Sequence, residues 1–414
     1  MPAMHCGTSE YQLSVFDAFN RLYKDKYEIY LYVNHEADEY HNLSTKYDNV
    51  LHPETITGTF HLGYAPNQLV FYEPQPYMNR HCLKIVQTMF DIMMVRIDEH
   101  TKSDVNCFVE LGIKLCDGIV FISNFSKKDF LAYFVNDNSI KDKQLKVIYP
   151  AAGFNKPTKE YDLPFEKYFL IIGNSYKHKA INETLKAIST TQHNYLIVGY
   201  GDGNYILPNI YGYKSGDLDD EFLSYLYSKC EAVIFPSMYE GFGFPVVNSI
   251  INKKRIILKN NALNNELIDR FHDFKDFFTL FEKFEEIRDI VENTDLLIEV
   301  EHCGLYDTWD RAAEELEVFF GLILKTETNA DKLNERWDLF KMVEANSIIN
   351  EPQIKSLNEE NLKQHKHIEE LTHAYNEIYN NKKLSSLLSF TIKTYIRNKI
   401  PGLHQVIKKL GKKT

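Results

Sequence analysis

The chain has 414 residues and a formal charge of −11, from 47 Lys/Arg against 58 Asp/Glu, with 44% hydrophobic and 25% charged residues. That length asks for two or three domains, and that composition excludes collagen-like, low-complexity and wholly disordered chains. No run approaches the ~18 apolar residues needed to span a bilayer, and no apolar stretch near the N-terminus reads as an export signal. The charge is uneven. Residues 382–414 hold nine Lys/Arg and no acid, so the other 381 residues, with 38 Lys/Arg against 58 Asp/Glu, carry −20. Such a body disfavours nucleic acid as a partner. The six cysteines, Cys6, Cys82, Cys107, Cys116, Cys230 and Cys303, show no CxxC pair and no zinc-type spacing. They read as reduced thiols of a cytosolic protein.

In chain order, periodicity predicts a helix over Ser9–Tyr23 and a strand over Tyr27–Val33. A strand follows at Gly118–Ile122, a helix at Ser126–Phe134 and a strand at Lys146–Ile148. Pro150, Gly153, Pro157 and Pro164 then mark a linker, with a hinge at about residue 155. Beyond it come strands at Tyr168–Ile172, Tyr195–Val198 and Ala232–Phe235, alternating with helices at Ala180–Thr190, Asp219–Ser228 and Pro245–Ile251. Strands alternating with helices imply α/β domains with parallel sheets and right-handed crossovers.

From about residue 330 strand signals vanish. Ile354, Leu357, Ile368, Leu371, Tyr375 and Ile378 occupy heptad core positions, with Asn361 and Gln364 in the remaining slots. Residues 353–380 read equally as a coiled coil offering an oligomer or partner-protein contact and as a helix packed on its own protein. In the tail, Leu384, Leu387, Leu388, Ile392, Tyr395 and Ile396 share one helical side, amid the nine basic residues. A basic amphipathic segment suits an anionic membrane surface.

The most informative stretch is Phe235-Pro-Ser-Met-Tyr-Glu240-Gly-Phe-Gly-Phe-Pro245-Val-Val-Asn248. A strand ends in a glycine-rich turn that opens a helix, and Pro245 suits a first turn, where no N–H donor is needed. Gly241 and Gly243 allow close backbone approach, and the free N–H groups of a helix start can hold phosphate oxygens. Glu240 offers a carboxylate to sugar hydroxyls. Lys179 at a helix start opposes the helix dipole unless an anion is present. The bland readings are a surface lysine and a helix-terminal carboxylate, and the second leaves the flanking glycines unexplained.

This stretch resembles the signature Pro-Ser-x-x-Glu-Gly-Phe-Gly-x-Pro-x-x-Glu of family GT4, retaining glycosyltransferases of GT-B fold. Four further segments are similar to that family in the same order. They are Gly7-Thr8-Ser9-Glu10-Tyr11, Cys116-Asp-Gly-Ile-Val-Phe-Ile-Ser123-Asn-Phe-Ser126, Ile171-Ile-Gly-Asn-Ser-Tyr-Lys-His-Lys179 and Tyr211-Gly-Tyr-Lys-Ser-Gly-Asp-Leu218. The likeness spans roughly residues 6–325 and is stronger after 165. It implies two Rossmann-like domains with a cleft between them. The acceptor domain would be 1–155 and the nucleotide-sugar domain 156–330, followed by a helical or coiled-coil segment 331–380 and a basic tail 381–414.

The resemblance also implies roles. Lys179 would stabilise the leaving diphosphate and Glu240 would hold the donor sugar. Gly173, Asn174, Lys177, Tyr211, Gly212, Gly241, Phe242, Gly243, Phe244 and Asn248 would bind the donor, while Gly7, Thr8 and Asp91 would face the acceptor. No cofactor and no obligatory metal are implied. Several positions depart from the pattern. Asn248 stands where the family has a ribose-gripping glutamate, and Asn174 where an arginine is frequent, with Lys177 as a substitute charge. Phe90 precedes Asp91 where a histidine is usual. The family places a whole strand before the position of Gly7, so the first domain reads as abbreviated or its first strand as missing. Trp309 reads as packing, where the last helix crosses back.

The expectation is a cytoplasmic glycosyltransferase, peripheral at the inner face of the cell membrane. Its partners would be a nucleotide sugar, a lipid-linked glycan acceptor of bacterial surface polysaccharide and, through 382–414, the anionic membrane. The alternative is a noncatalytic glycosyltransferase-like subunit that scaffolds an active transferase through its coiled coil.

Overall fold

The computed structural model describes residues 2–4, 6–69, 74–97, 103–151, 157–214, 216–293, 308–328 and 330–340, with the backbone alone at 103–107. The coiled-coil segment 353–380, the basic tail 382–414 and the hinge near 155 lie outside the described residues. Residues Met1–Trp337 form one compact unit. Among the described residues no helix is long and apolar enough to cross a membrane.

The first half builds two sheets. A minor one pairs β1 (Leu31–Tyr32) with β2 (Val50–Leu51) in parallel. The expected strand Tyr27–Val33 thus shrinks to two residues beside a second short strand. The main sheet has four parallel strands in the order β3 (Phe60–Ala65), β4 (Cys82–Met89), β5 (Gly118–Phe121) and β6 (Gln144–Val147). Neither β3 nor β4 was legible as a strand. In β4, Lys84, Gln87 and Thr88 break the apolar run, yet all three are buried, because helices cover both faces of a parallel sheet. Gln87 is satisfied there by the Leu69 N–H at 3.1 Å, which makes its burial tolerable.

The second sheet has seven strands. They are β7 (Phe169–Ile172), β8 (Tyr195–Val198), β9 (Asn204–Leu207), β10 (Ile210–Tyr213), β11 (Ala232–Phe235), β12 (Arg255–Lys259) and β13 (Phe278–Phe281). Their order is 13-12-11-7-8-10-9, parallel throughout except for β9 against β10. β8 and β11 fall where periodicity places them, because Tyr-Leu-Ile-Val and Ala-Val-Ile-Phe are fully apolar. From β7 the chain first builds toward β8 and later returns to the other side as β11. Such a reversal opens a crevice at the carboxyl ends of the two strands, where open parallel sheets take their ligands.

The opening helix (Gly7–Tyr23) and the return helix (Trp309–Lys325) pack together and bind the halves into one body. Trp309 meets Tyr11 edge to face, with ring centroids 5.6 Å apart, and Phe320 of the return helix lies against Phe19. Phe319 and Ile323 close over Gly118 of β5, so the last helix of the second half crosses back onto the first, as the sequence reading had it. One apolar cluster runs through both halves, joining Val86, Val120 and Ile122 to Leu170, Val233 and Leu258. This is a pair of Rossmann-like parallel sheets whose carboxyl edges face each other, the GT-B arrangement.

Candidate active site

The site forms where the carboxyl edges meet. The turn after β7 carries Gly173 to Lys179, and the loop after β11 carries Pro236 to Gly243 before the loop helix (Phe244–Ile251). Gly243 adopts φ +98°, a left-handed value that suits glycine, and the helix it opens has no side-chain cap, with Pro245 in its first turn. The buried Phe242 plugs the loop into the core. The Met238 N–H and the Ser237 hydroxyl both donate to the His178 carbonyl, at 2.7 and 3.3 Å, so the two turns are held as one surface. On it, the Lys179 ammonium and the Glu240 carboxylate form an ion pair, each only about a fifth exposed.

The other donor-side positions line this surface. Gly173 is buried, and its carbonyl meets Gly199 so closely that a Cβ there would lie 2.9 Å away. Asn174 is half-buried and accepts the Tyr176 N–H at 3.1 Å, which fixes the turn, while Lys177 is exposed. Gly212 lies on β10, where a Cβ would stand 2.2 Å from the Tyr200 carbonyl. Tyr211 donates to the Gly203 carbonyl at 2.5 Å and meets Tyr205 and Tyr213 edge to face. The glycine run Gly199-Tyr-Gly-Asp-Gly203, with φ positive at all three glycines, belongs to this floor and was missed. The V-G-x-G-x-G spacing after a strand was its signal.

From the first half, Asp91 follows β4 and joins the ion pair electrostatically. Burial pushes its carboxyl up to about 6, against the Met93 N–H that it accepts at 2.9 Å, with Glu240 raising it and Lys179 lowering it. The reading by resemblance thus puts Asp91, Lys179 and Glu240 in different segments, and the fold draws them into one cluster. Phe90 contributes backbone: its carbonyl would lie 2.2 Å from a Cβ on Gly241. Ser123 donates to the Gly241 carbonyl at 2.6 Å and, from the same oxygen, caps the helix Asn124–Tyr133 through the Ser126 N–H. Tyr239 donates to Asp129 at 2.8 Å. The small size of Gly241 therefore serves the approach of the first half, a role beyond the ligand approach expected of it.

Gly7 and Thr8 do not form a loop. They are the first turn of the opening helix, and Gly7 faces the ring of Phe244 across the cleft. Asn248 is buried one turn into the loop helix and hydrogen-bonds Tyr227. Glu10 was also missed as a site residue. Burial, with Asp220 adding, pushes its carboxyl up to about 7. Its only signal was an acid in a helix first turn, which is ordinary.

No family model matches the chain. It is similar to the O-antigen chain mannosyltransferase RfbU of Salmonella typhimurium, 27% identical over 171 residues, covering 39% of this chain. The chain spans about half of that relative, 47% of its length. Among solved structures it is similar to WaaG, a glycosyltransferase involved in lipopolysaccharide biosynthesis, at 9% identity and TM-score 0.45, over 82% of this chain and 93% of that one. It is also similar to Anabaena HepE in complex with UDP and glucose, at 13% identity and TM-score 0.49, over 83% and 98%.

Proposed function

We propose that this chain is a retaining glycosyltransferase that moves a sugar from a nucleoside-diphosphate donor to a glycan acceptor, without an obligatory metal. The observation that carries the reading is the Lys179–Glu240 pair at the crevice between β7 and β11, beside an uncapped helix start and facing Asp91. A departing nucleoside diphosphate builds negative charge. A lysine and a row of helix N–H groups are placed to stabilise it, and fixed dipoles of this kind supply much of a catalytic barrier's reduction. Glu240 then turns from Lys179 to the hydroxyls of the donor sugar. Asp91, poised near neutrality on the opposite wall, accepts a hydrogen bond from the incoming acceptor hydroxyl. As the anomeric carbon–oxygen bond breaks, that hydroxyl attacks the same face and its proton passes to the leaving diphosphate.

The mannosyltransferase likeness supports a role in bacterial surface polysaccharide and, with it, a lipid-linked acceptor. The basic amphipathic sequence of 382–414 fits this reading, because donor and acceptor would meet at the inner membrane face.

Isothermal titration with UDP and GDP tests the reading. Binding of one of them is expected, weakened at least about tenfold in Lys179→Ala, the loss of one charge-assisted contact. No binding of either by the parent protein would sink it, and would favour the noncatalytic subunit.

A further inference from the structure

The opening helix brings one more carboxylate to the second sheet than the motifs account for. Met4 lies against Gly216 and Gly7 against Phe244, so this end of the first half reaches over the second. Glu10, in the helix's first turn, senses Asp220 at the start of the helix Asp220–Lys229. Tyr227, on that same helix, senses both the charge of Glu10 and a hydrogen bond from Asn248. Glu10 and Asn248 therefore flank one phenol, each from a different half.

Asn248 is 3% exposed, and its Oδ1 has no hydrogen-bond partner. A buried, unpartnered acceptor costs about 1–3 kcal/mol and is worth keeping where a ligand supplies the donor. Among the described residues Glu10 makes no ion pair, and it too offers acceptors. Two acceptors side by side recognise neighbouring hydroxyls. Their place matters as well. Asn248 lies one helical turn beyond the helix start that would hold the diphosphate, on the far side from Glu240. Hydroxyls there belong to the sugar on the nucleoside side of the diphosphate.

We propose that Glu10 and Asn248 together hold the ribose hydroxyls of the donor nucleotide, the carboxylate coming from one half and the amide from the other. This rests on the nucleotide-sugar reading of the site. Donor binding then ties the opening helix to the loop helix, so the donor itself joins the two halves. Glu10 is partly protonated near neutrality. Hydroxyl donors favour its charged form, so binding releases a proton.

The experiment titrates the full-length parent, Glu10→Gln and the double variant Glu10→Gln/Asn248→Glu with UDP, GDP and their 2′-deoxy forms. The parent is expected to prefer the ribonucleotide about tenfold, the worth of a charge-assisted hydrogen bond. Glu10→Gln should reduce that preference to within about twofold while binding the deoxy form as the parent does, which shows the site intact. The double variant should regain the preference by returning a carboxylate from the other side. A Glu10→Gln protein that still prefers ribose tenfold overturns this assignment and leaves the nucleotide reading standing. A parent that binds no nucleotide removes both.

Discussion

The two walls of the cleft are built on different principles. The second-half wall is backbone: Gly173, Gly199, Gly243 and an uncapped helix start, with Lys179 and Glu240 mounted on turns that β7 and β11 fix. The first-half wall is side-chain electrostatics: Asp91 and Glu10, two carboxyls pushed toward neutrality by burial as the halves close. A backbone site exists in each half alone. An electrostatic one exists only in the assembled pair. The contrast teaches that the donor side is a property of local sequence and the acceptor side a property of the fold.

The largest blow to that contrast falls on Glu240. Glu240→Ala should lower turnover by about 100-fold or more, as loss of a transition-state contact does, while leaving nucleoside diphosphate affinity within about threefold. Donor-sugar consumption and titration measure the two. Equal turnover of variant and parent removes Glu240 from the site. Next comes Gly241→Ala. Its Cβ would stand 2.2 Å from the Phe90 carbonyl, backbone against backbone, so the halves must part. A loss of about 2–4 kcal/mol in urea unfolding is expected. The contrast also requires that Asp91 fall back toward an ordinary carboxylate in this variant, since its shift comes from closure.

What could be read from the sequence divides along the same line. Residues 232–248 were legible because each letter has a local job: an apolar strand, glycine at positive φ, proline in a first turn. β8 was legible for the same reason. β4 was not, because Lys84, Gln87 and Thr88 disguise a buried strand, and only tertiary partners such as the Leu69 N–H make them tolerable. Asp91 was found by resemblance to a motif lacking its histidine, and its coupling to Glu240 has no trace in spacing. Glu10 looked like any acid in a first turn until the opening helix was seen over Asn248.

A smaller effect sharpens how the walls are joined. Ser123 caps one helix of the first half and holds the Gly241 carbonyl of the second with the same hydroxyl. Ser123→Ala should cost about 2 kcal/mol, a lost cap plus an orphaned buried carbonyl. If the donor joins the halves, saturating nucleotide should restore part of the lost thermal stability, and a variant no better protected than without ligand argues that the halves are fixed regardless.

The smallest effect is the most diagnostic, because its sign is fixed. The Asp91 carboxyl stands at about 6 against an ordinary 3.8, so between these values the folded protein holds more protons than the unfolded chain. Stability therefore falls as pH rises from about 4 to 6, and is level above that. Asp91→Asn removes this slope. Because Asp91 is half-buried and screened, the variant should be only about 1 kcal/mol more stable at pH 7 and equal to the parent near pH 4. Glu10 imposes a similar slope reaching nearer pH 7 in both proteins, so the difference between their urea-unfolding curves isolates Asp91. A variant less stable than the parent at pH 7 would mean that Lys179 outweighs burial there, and the first-half wall would then be an ion-pair network rather than a pair of strained acids.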